Sequence, residues 1–291
     1  MLYNLLKAMR PKQWAKNVFV FAGVFFDGGI FETSRILRSL IAFGLFCIIS
    51  GAIYLINDLV DVEKDRLHPQ KRNRPIASGA LAPLTAKIAA GVILGICLPL
   101  GFWFDLGFGV AAVVYVALML AYDFWLKNVV ILDVMTVAAG FVLRVLAGTL
   151  VVHVSRFSPW LYVCTTFVAL FIAINKRRHE MILLASNANN HRAILEQYSL
   201  EFLNDMSALV TAATVVAYSF YTFSAPNVPK NQAMMLTIPF VIYGVFRYLY
   251  LTRNKNLGGA PEDIVLGDVP LIITCLLWGA TTALAIYWPF R

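Results

Sequence analysis

Long runs of apolar residues most strongly constrain what this chain can fold into. A helix of about 20 residues spans the roughly 30 Å hydrocarbon core of a bilayer. Of the 291 residues 60% are hydrophobic and only 14% are charged, which is too apolar for the surface of a soluble domain. The sequence therefore predicts an all-α, polytopic protein with nine transmembrane helices in a lipid bilayer. The runs cover about residues 17–31, 35–57, 85–104, 106–125, 130–152, 159–175, 202–224, 233–251 and 269–289.

The basic residues predict how the helices are oriented. Most of the 24 Lys and Arg residues lie in alternate loops, beginning with the opening RPKQWAKN (10–17). Because cytoplasmic loops carry an excess of Lys and Arg, these loops are predicted to face the cytoplasm from the plasma membrane. The same rule accounts for the net charge of +8, so the charge does not imply a nucleic-acid partner.

A polar stretch, NDLVDVEKDRLHPQKRNRPIASG (57–79), follows the second apolar run. Asn57, Asp61 and Asp65 are spaced four residues apart and share one face if the helix continues into this stretch. Their oxygens, with Asp58 adjacent, suit a hard cation, and Mg²⁺ prefers carboxylates together with phosphate oxygens. We expect Mg²⁺ as cofactor, with Asn57, Asp61 and Asp65 as ligands and Asp58, Asp61 and Asp65 as catalytic residues.

Basic residues follow the acids in the same stretch. Lys71, Arg72 and Arg74 are suited to bind a multiply charged phosphate group. Pro69, Pro75 and Gly79 interrupt the helix and allow the chain to fold back. A solvated charged loop without a site is the alternative that charge alone leaves open.

The pattern Asn57-Asp58-x-x-Asp61-x-x-x-Asp65, followed by RPIASG (74–79), resembles the first aspartate-rich motif of the UbiA superfamily of intramembrane prenyltransferases. The resemblance implies one domain over residues 1–291. It also implies nine transmembrane helices around a central cavity that opens to the cytoplasm, where Mg²⁺ and a diphosphate bind.

A second polar segment, INKRRHEMILL (174–184), departs from the family pattern. Most members carry a second aspartate-rich motif in the loop after the sixth helix. Here Lys176, Arg177 and Arg178 stand in that segment, and Glu180 is its one acid. A cytoplasmic loop would also be basic for topological reasons, but a functional loop of this charge would bind phosphate.

Further segments resemble the decaprenyl-phosphate phosphoribosyltransferase branch of this superfamily over about residues 10–289. They are RPKQWAKN (10–17), LKNVVILDVMTVAAGFVLRVLAG (126–148), NKRRHE (175–180) and PEDIVLGDVPL (261–271). The resemblance implies phosphoribosyl diphosphate as donor and a polyprenyl phosphate as acceptor. We expect direct displacement with inversion, since a lipid phosphate is already anionic. Prenyl transfer to an aromatic acceptor is the alternative.

Two charges lie inside the fifth run. Asp133, near its cytoplasmic end, could order the sugar hydroxyls or a second metal, and Arg144 could pair with another helix. A homo-oligomer is possible. The residues predicted to bind substrate are Lys12, Lys16, Asn57, Lys71, Arg72, Arg74, Lys127, Asp133, Lys176, Arg177, Glu180 and Arg192.

Overall fold

The structure, a computed structural model, describes residues 1–69, 71–154, 158–185, 193–255 and 261–287. All regular elements within these ranges are helical. The α-helices are α1 (Leu2–Ala8), α2 (Ala22–Phe26), α3 (Thr33–Val60), α4 (Val62–Leu67), α5 (Pro83–Phe104), α6 (Leu106–Phe124), α7 (Leu132–Val151), α8 (Pro159–Ala185), α9 (Leu200–Ser224), α10 (Ile238–Asn254), α11 (Pro261–Gly267) and α12 (Val269–Tyr287). Short 3₁₀ helices cover Pro11–Phe21, Lys71–Asn73, Leu126–Asn128, Ala193–Gln197 and Ala233–Thr237.

Eight helices in the described ranges are long and apolar enough to cross a membrane. They are α3, α5, α6, α7, α8, α9, α12 and α10 together with the 3₁₀ turn before it. On α5 the exposed side chains Leu84, Ile88, Val92 and Ile96 recur every four residues, which gives one apolar stripe suited to contact lipid. The chain is a multi-pass, all-helical membrane protein, as predicted.

The remaining predicted span, residues 17–31, is the first in the sequence, and it does not form one long helix. The 3₁₀ helix Pro11–Phe21 and the five-residue α2 divide this part of the chain. The segment packs backbone against backbone on α7, since a Cβ atom at Gly148 would lie 1.9 Å from the carbonyl oxygen of Val20. The predicted count of nine spans is therefore not confirmed among the described residues.

The chain divides into two compact units. The first comprises residues 1–25 and 29–154, and the second comprises residues 26–28 and 155–291. In the first unit the buried ring of Phe46 makes edge contacts with Phe108 and Tyr115, with ring centroids 5.7 and 5.2 Å apart. In the second unit the Tyr218 hydroxyl bonds the Thr237 hydroxyl at 2.6 Å, and α8 packs along α9. Each unit thus has its own core.

A buried arginine crosslinks the first unit. Arg144 Nε donates to Asn17 Oδ1 at 2.7 Å, Nη1 to the Gly140 carbonyl at 2.7 Å and Nη2 to the Tyr115 hydroxyl at 2.9 Å. Asn17 in turn donates to Ser50 Oγ at 3.1 Å. These bonds join α7, α6, α3 and the 3₁₀ segment Pro11–Phe21. Arg144 therefore bonds neutral partners in the packed interior of this unit.

Replacing Arg144 by Met should destabilise the protein. The substitution leaves the buried Asn17 and Tyr115 oxygens without this donor, which costs about 2–4 kcal/mol. We expect a clear fall in the Tm of the purified protein in detergent. Arg35→Met is the matched control, because the Arg35–Glu32 pair is partly exposed and worth less than about 1 kcal/mol. Equal Tm values for the two variants would contradict a crosslinking role.

Candidate functional site

The aspartate-rich stretch lies at the end of α3 and continues beyond it. α3 extends to Val60, and α4 begins at Val62. Across this junction the Asp61 amide donates to the Asn57 carbonyl at 3.0 Å, and the Asp65 amide donates to the Asp61 carbonyl at 2.8 Å. The four-residue hydrogen bonding is therefore maintained, and the three residues follow one another on successive helical turns, as the spacing predicts.

The chain after α4 folds back onto the first unit. Buried Ile76 packs in an apolar cluster with Leu81 and Ala86, and the Leu81 amide bonds the Pro75 carbonyl at 2.8 Å. Gly79 has a φ of +80°, in the left-handed region that glycine adopts without strain. This anchored turn returns Arg74 to the acids of the same stretch.

Two arginines hold two of the acids. Arg74 Nη1 contacts Asp58 Oδ1 at 3.2 Å and Asp65 Oδ2 at 2.5 Å. Arg10 also pairs with Asp58, and its guanidinium lies 4.9 Å from the centre of the Tyr54 ring. Asp58 and Asp65 are buried, so their charges need these cations. Arg10 has a backbone φ of 54°, which is unusual for a residue other than glycine.

The end of α6 supplies the partners of the other two polar residues. Lys127, buried in the 3₁₀ turn Leu126–Asn128, donates to Asp61 Oδ1 at 2.7 Å. Asn57 Nδ2 donates to Asp123 Oδ1 at 2.6 Å, while buried Asp123 Oδ2 has no hydrogen-bond partner among the described residues. Asp123 and Lys127 therefore connect the end of α6 with the end of α3.

The structure brings the predicted metal ligands close to cations. Among the described residues no three His, Cys, Asp or Glu side chains form a group that could hold a metal ion. Instead Lys127 and Arg74 occupy one oxygen each of Asp61 and Asp65. The donor set nevertheless fits a hard cation, because Asn57 Oδ1 and Asp61 Oδ2 are oxygens with no hydrogen bond from any described residue.

The remaining predicted residues of the first unit differ in exposure. Lys12 and Arg72 are exposed, and Lys16 and Lys71 are half-buried. Asp133 is fully buried in the first turn of α7, where a negative charge is favourable. The structure thus leaves the four basic side chains accessible, whereas Asp133 lies within the packed interior.

His68 is a neutral neighbour of this site. Its Nδ1 accepts a hydrogen bond from the Lys71 amide at 3.3 Å. Burial lowers the pKa of His68 below its ordinary value, and the nearby Lys71 cation lowers this pKa further. The imidazole is therefore uncharged at neutral pH and adds no cation to the loop.

The prediction of a loop at residues 174–184 is wrong. α8 continues through this segment to Ala185. Lys, Arg, Glu, Met and Leu are strong helix formers and no Gly or Pro interrupts them, so the helix has no local reason to end earlier. Buried Asn175 donates to Ser207 Oγ at 3.1 Å, which fixes α8 against α9.

The basic residues of α8 have specific partners in the second unit. Buried Arg177 pairs with Glu180 one turn later at 2.5 Å, and Lys176 is half-buried. Arg178 Nε donates to Asn204 Oδ1 at 2.8 Å, and its Nη1 donates to the Thr252 carbonyl at 3.4 Å. Predicted Arg192 lies outside the described residues.

Sequence reasoning missed two members of the first unit's site. Arg10 and Asp123 were not among the predicted residues, although each contacts one that was. Arg10 opens RPKQWAKN, and Asp123 precedes Lys127 by one helical turn. Those positions are the signals by which both could have been found.

The chain is similar to known proteins over nearly its whole length. The profile described as UbiA prenyltransferase family matches residues 17–180. A decaprenyl-phosphate phosphoribosyltransferase of Mycolicibacterium smegmatis is 35% identical over 98% of this chain and 92% of the relative. One of Corynebacterium glutamicum is 36% identical over 98% and 87%, and one of Mycobacterium tuberculosis is 33% identical over 97% and 94%.

A solved structure shares the fold. The structure of a UbiA homolog from Archaeoglobus fulgidus bound to GPP and Mg²⁺ has a TM-score of 0.73 to this chain. The structural match covers 97% of this chain and 99% of the homolog, at 18% sequence identity. At this identity the likeness concerns the fold alone. The family match over more than half of the chain and the relatives above 30% identity both agree with the aspartate-rich motif, and this chain belongs to the UbiA prenyltransferase family.

Proposed function

We propose that this chain transfers 5-phosphoribose from 5-phosphoribosyl 1-diphosphate to a polyprenyl phosphate and releases diphosphate. The observation that carries the proposal is the charge of α8, where three cations accompany a single acid at positions 176–180. A prenyl donor brings one diphosphate, whereas this reaction brings two further phosphate groups that need cations. The relatives named decaprenyl-phosphate phosphoribosyltransferase support the same reaction.

Mg²⁺ is the proposed cofactor, held by Asn57, Asp61 and Asp65. When bound, it would neutralise charge on the departing diphosphate, a Lewis-acid effect worth several kcal/mol. The open oxygens Asn57 Oδ1 and Asp61 Oδ2 support this assignment. A UbiA homolog of the same fold has been described with Mg²⁺ bound.

Three cations of the first unit are proposed to bind the donor diphosphate. Arg10, Arg74 and Lys127 each contact a carboxylate of the aspartate-rich stretch. Phosphate oxygens compete for the same hydrogens, and a guanidinium binds them in a bidentate manner. A diphosphate that takes up these cations would free oxygens of Asp58, Asp61 and Asp65.

The remaining predicted residues are assigned roles from their charge. Exposed Lys12 and Arg72 and half-buried Lys16 and Lys71 are proposed ligands of the outer phosphates, and Lys176 is a proposed phosphate ligand from the second unit. Arg177 and Arg192 are proposed phosphate ligands, and Asp133 and Glu180 are proposed partners of the sugar hydroxyls. The acceptor phosphate is anionic near neutral pH, so no general base is required. Direct displacement would convert the α-configured donor into a β-linked product.

The reaction is tested by incubating the purified protein with Mg²⁺, labelled phosphoribosyl diphosphate and a polyprenyl phosphate. We expect a phosphoribosylated lipid in the lipid fraction, identified by mass, and its loss when EDTA removes the metal. A parallel incubation contains a prenyl diphosphate and an aromatic acid. Product in that incubation, with none in the first, would replace the proposed reaction by prenyl transfer.

Asp61→Asn should reduce turnover by about 100-fold or more, because it removes a charged oxygen from the proposed metal site. We expect a modest fall in the Tm in detergent, because buried Lys127 loses the charge of its partner while the new amide oxygen can still accept its hydrogen bond. Glu63→Gln is the matched control: Glu63 lies in the same stretch, but it is exposed and pairs with Arg66. We expect its turnover to stay within about twofold. Full activity of Asp61→Asn would remove this residue from the site.

The aspartate-rich stretch is proposed to face the cytoplasm from the plasma membrane. A cysteine introduced by Lys64→Cys, at an exposed position, should react with a membrane-impermeant maleimide in inverted vesicles and not in right-side-out vesicles. Phe31→Cys, exposed before the start of α3, should show the opposite pattern. Labelling of both from the same side, or a reversed pattern, would contradict the proposed orientation.

A further inference from the structure

One hydrogen bond joins the end of α3 to the end of α6 through Asn57 and Asp123. Asn57 Nδ2 donates to Asp123 Oδ1 at 2.6 Å, between residues 66 positions apart in sequence. Lys127, one turn after Asp123, donates to Asp61 at 2.7 Å. The two bonds run in parallel from the end of α6 to two adjacent turns of the aspartate-rich stretch.

The bond to Asp123 determines which way the Asn57 amide faces. A carboxylate has acceptor oxygens and no donor hydrogen, so Asn57 must turn its NH₂ group toward Asp123. The amide oxygen, Oδ1, then points away from Asp123, and it accepts no hydrogen bond from any residue that the structure describes. With a neutral amide in place of Asp123 either orientation would be allowed, and the oxygen would not be reserved for a ligand.

The Asp123 carboxylate is incompletely hydrogen-bonded in this arrangement. The side chain is buried, and within the described part of the chain its second oxygen, Oδ2, has no hydrogen-bond partner. A buried carboxylate oxygen without a donor destabilises the folded state, and a neutral side chain of similar shape would reduce that penalty because it carries no charge. Since Oδ2 has almost no accessible surface, it is also poorly placed to contact a ligand directly.

We propose that Asp123 is a positioning residue that orients Asn57 Oδ1 toward the Mg²⁺ ion. The inference rests on the proposed function in one respect, namely that Mg²⁺ binds at Asn57. Outer partners of metal ligands fix the ligand's orientation, and removing them commonly weakens metal binding by about 10- to 100-fold. Asp123 would do this for an amide ligand, at the expense of local stability.

The first test measures metal binding without turnover. Purified protein in detergent is titrated with Mg²⁺ in the presence of inorganic diphosphate, and the Mg²⁺ concentration that gives half of the maximal Tm increase is recorded. For Asp123→Asn we expect this concentration to rise about tenfold or more. The Tm without Mg²⁺ should be unchanged or higher, because the substitution replaces a buried, incompletely hydrogen-bonded charge by a neutral amide. A structural role would instead lower this Tm.

A reciprocal exchange supplies the second test. Combining Asn57→Asp with Asp123→Asn keeps the net charge and the hydrogen bond, with donor and acceptor exchanged. The carboxylate at position 57 must then accept from the amide at position 123, and its other oxygen takes the place of Asn57 Oδ1. We expect the exchange to restore the Mg²⁺ requirement to within about threefold of the unsubstituted protein. Asn57→Asp alone places two carboxylates in contact, and its Mg²⁺ requirement should not return to that of the unsubstituted protein.

The outcomes separate this inference from the proposed function. If the unsubstituted protein responds to Mg²⁺ and Asp123→Asn responds at the same concentration, the positioning role is overturned while the reaction stands. Failure of the exchange to improve on Asp123→Asn also overturns it. No response to Mg²⁺ with diphosphate in the unsubstituted protein overturns the metal site itself, and with it this inference.

Discussion

The first unit is organised around carboxylates that cannot be left uncompensated. Asp58 and Asp65 are buried at the end of a membrane-spanning helix, where an unpaired charge is costly. Their cations come from two separate parts of the chain, Arg10 near its start and Arg74 in the returning loop. Lys127, after α6, compensates the charge of Asp61 in the same way. Charge compensation therefore fixes where these three segments lie relative to α3.

The buried arginine of α7 bonds neutral groups and not carboxylates. Arg144 has neutral partners, the Asn17 oxygen, the Gly140 carbonyl and the Tyr115 hydroxyl. Its guanidinium is engaged in bonds to Asn17 and Tyr115 in other segments and to Gly140 in its own helix, so it acts as a structural crosslink. Arg10 and Arg74, in contrast, bond to carboxylates whose place a phosphate group can take. The same residue type thus acts as a structural crosslink in one position and as a proposed phosphate ligand in another.

The sequence predicted those parts of the fold that depend on local composition. Eight apolar runs became spanning helices, because a bilayer demands about 20 apolar residues at each crossing. The prediction of one continuous helix over residues 17–31 is wrong, because this segment packs closely against Gly148, which is distant in sequence. The prediction of a loop at 174–184 is wrong for a local reason, because the Lys, Arg, Glu, Met and Leu residues of this polar segment favour a helix.

The site was predictable in its acids and less so in their partners. Asn57, Asp61 and Asp65 stand out through their spacing, whereas Arg10 and Asp123 join them over separations of 48 and 66 residues. No local pattern specifies such long-range pairs.

Charge balance explains why these partners matter. In these ion pairs the three positive charges of Arg10, Arg74 and Lys127 match the three negative charges of Asp58, Asp61 and Asp65, and buried Asp123 adds one further carboxylate beside them. A metal ion alone would leave an excess of positive charge in a poorly solvated place, and a diphosphate alone would leave an excess of negative charge. Bound together, the proposed metal and diphosphate would offset each other, and the cations would pass from carboxylate to phosphate. If the proposed function holds, these ion pairs would therefore favour the joint binding of metal and diphosphate over the binding of either one.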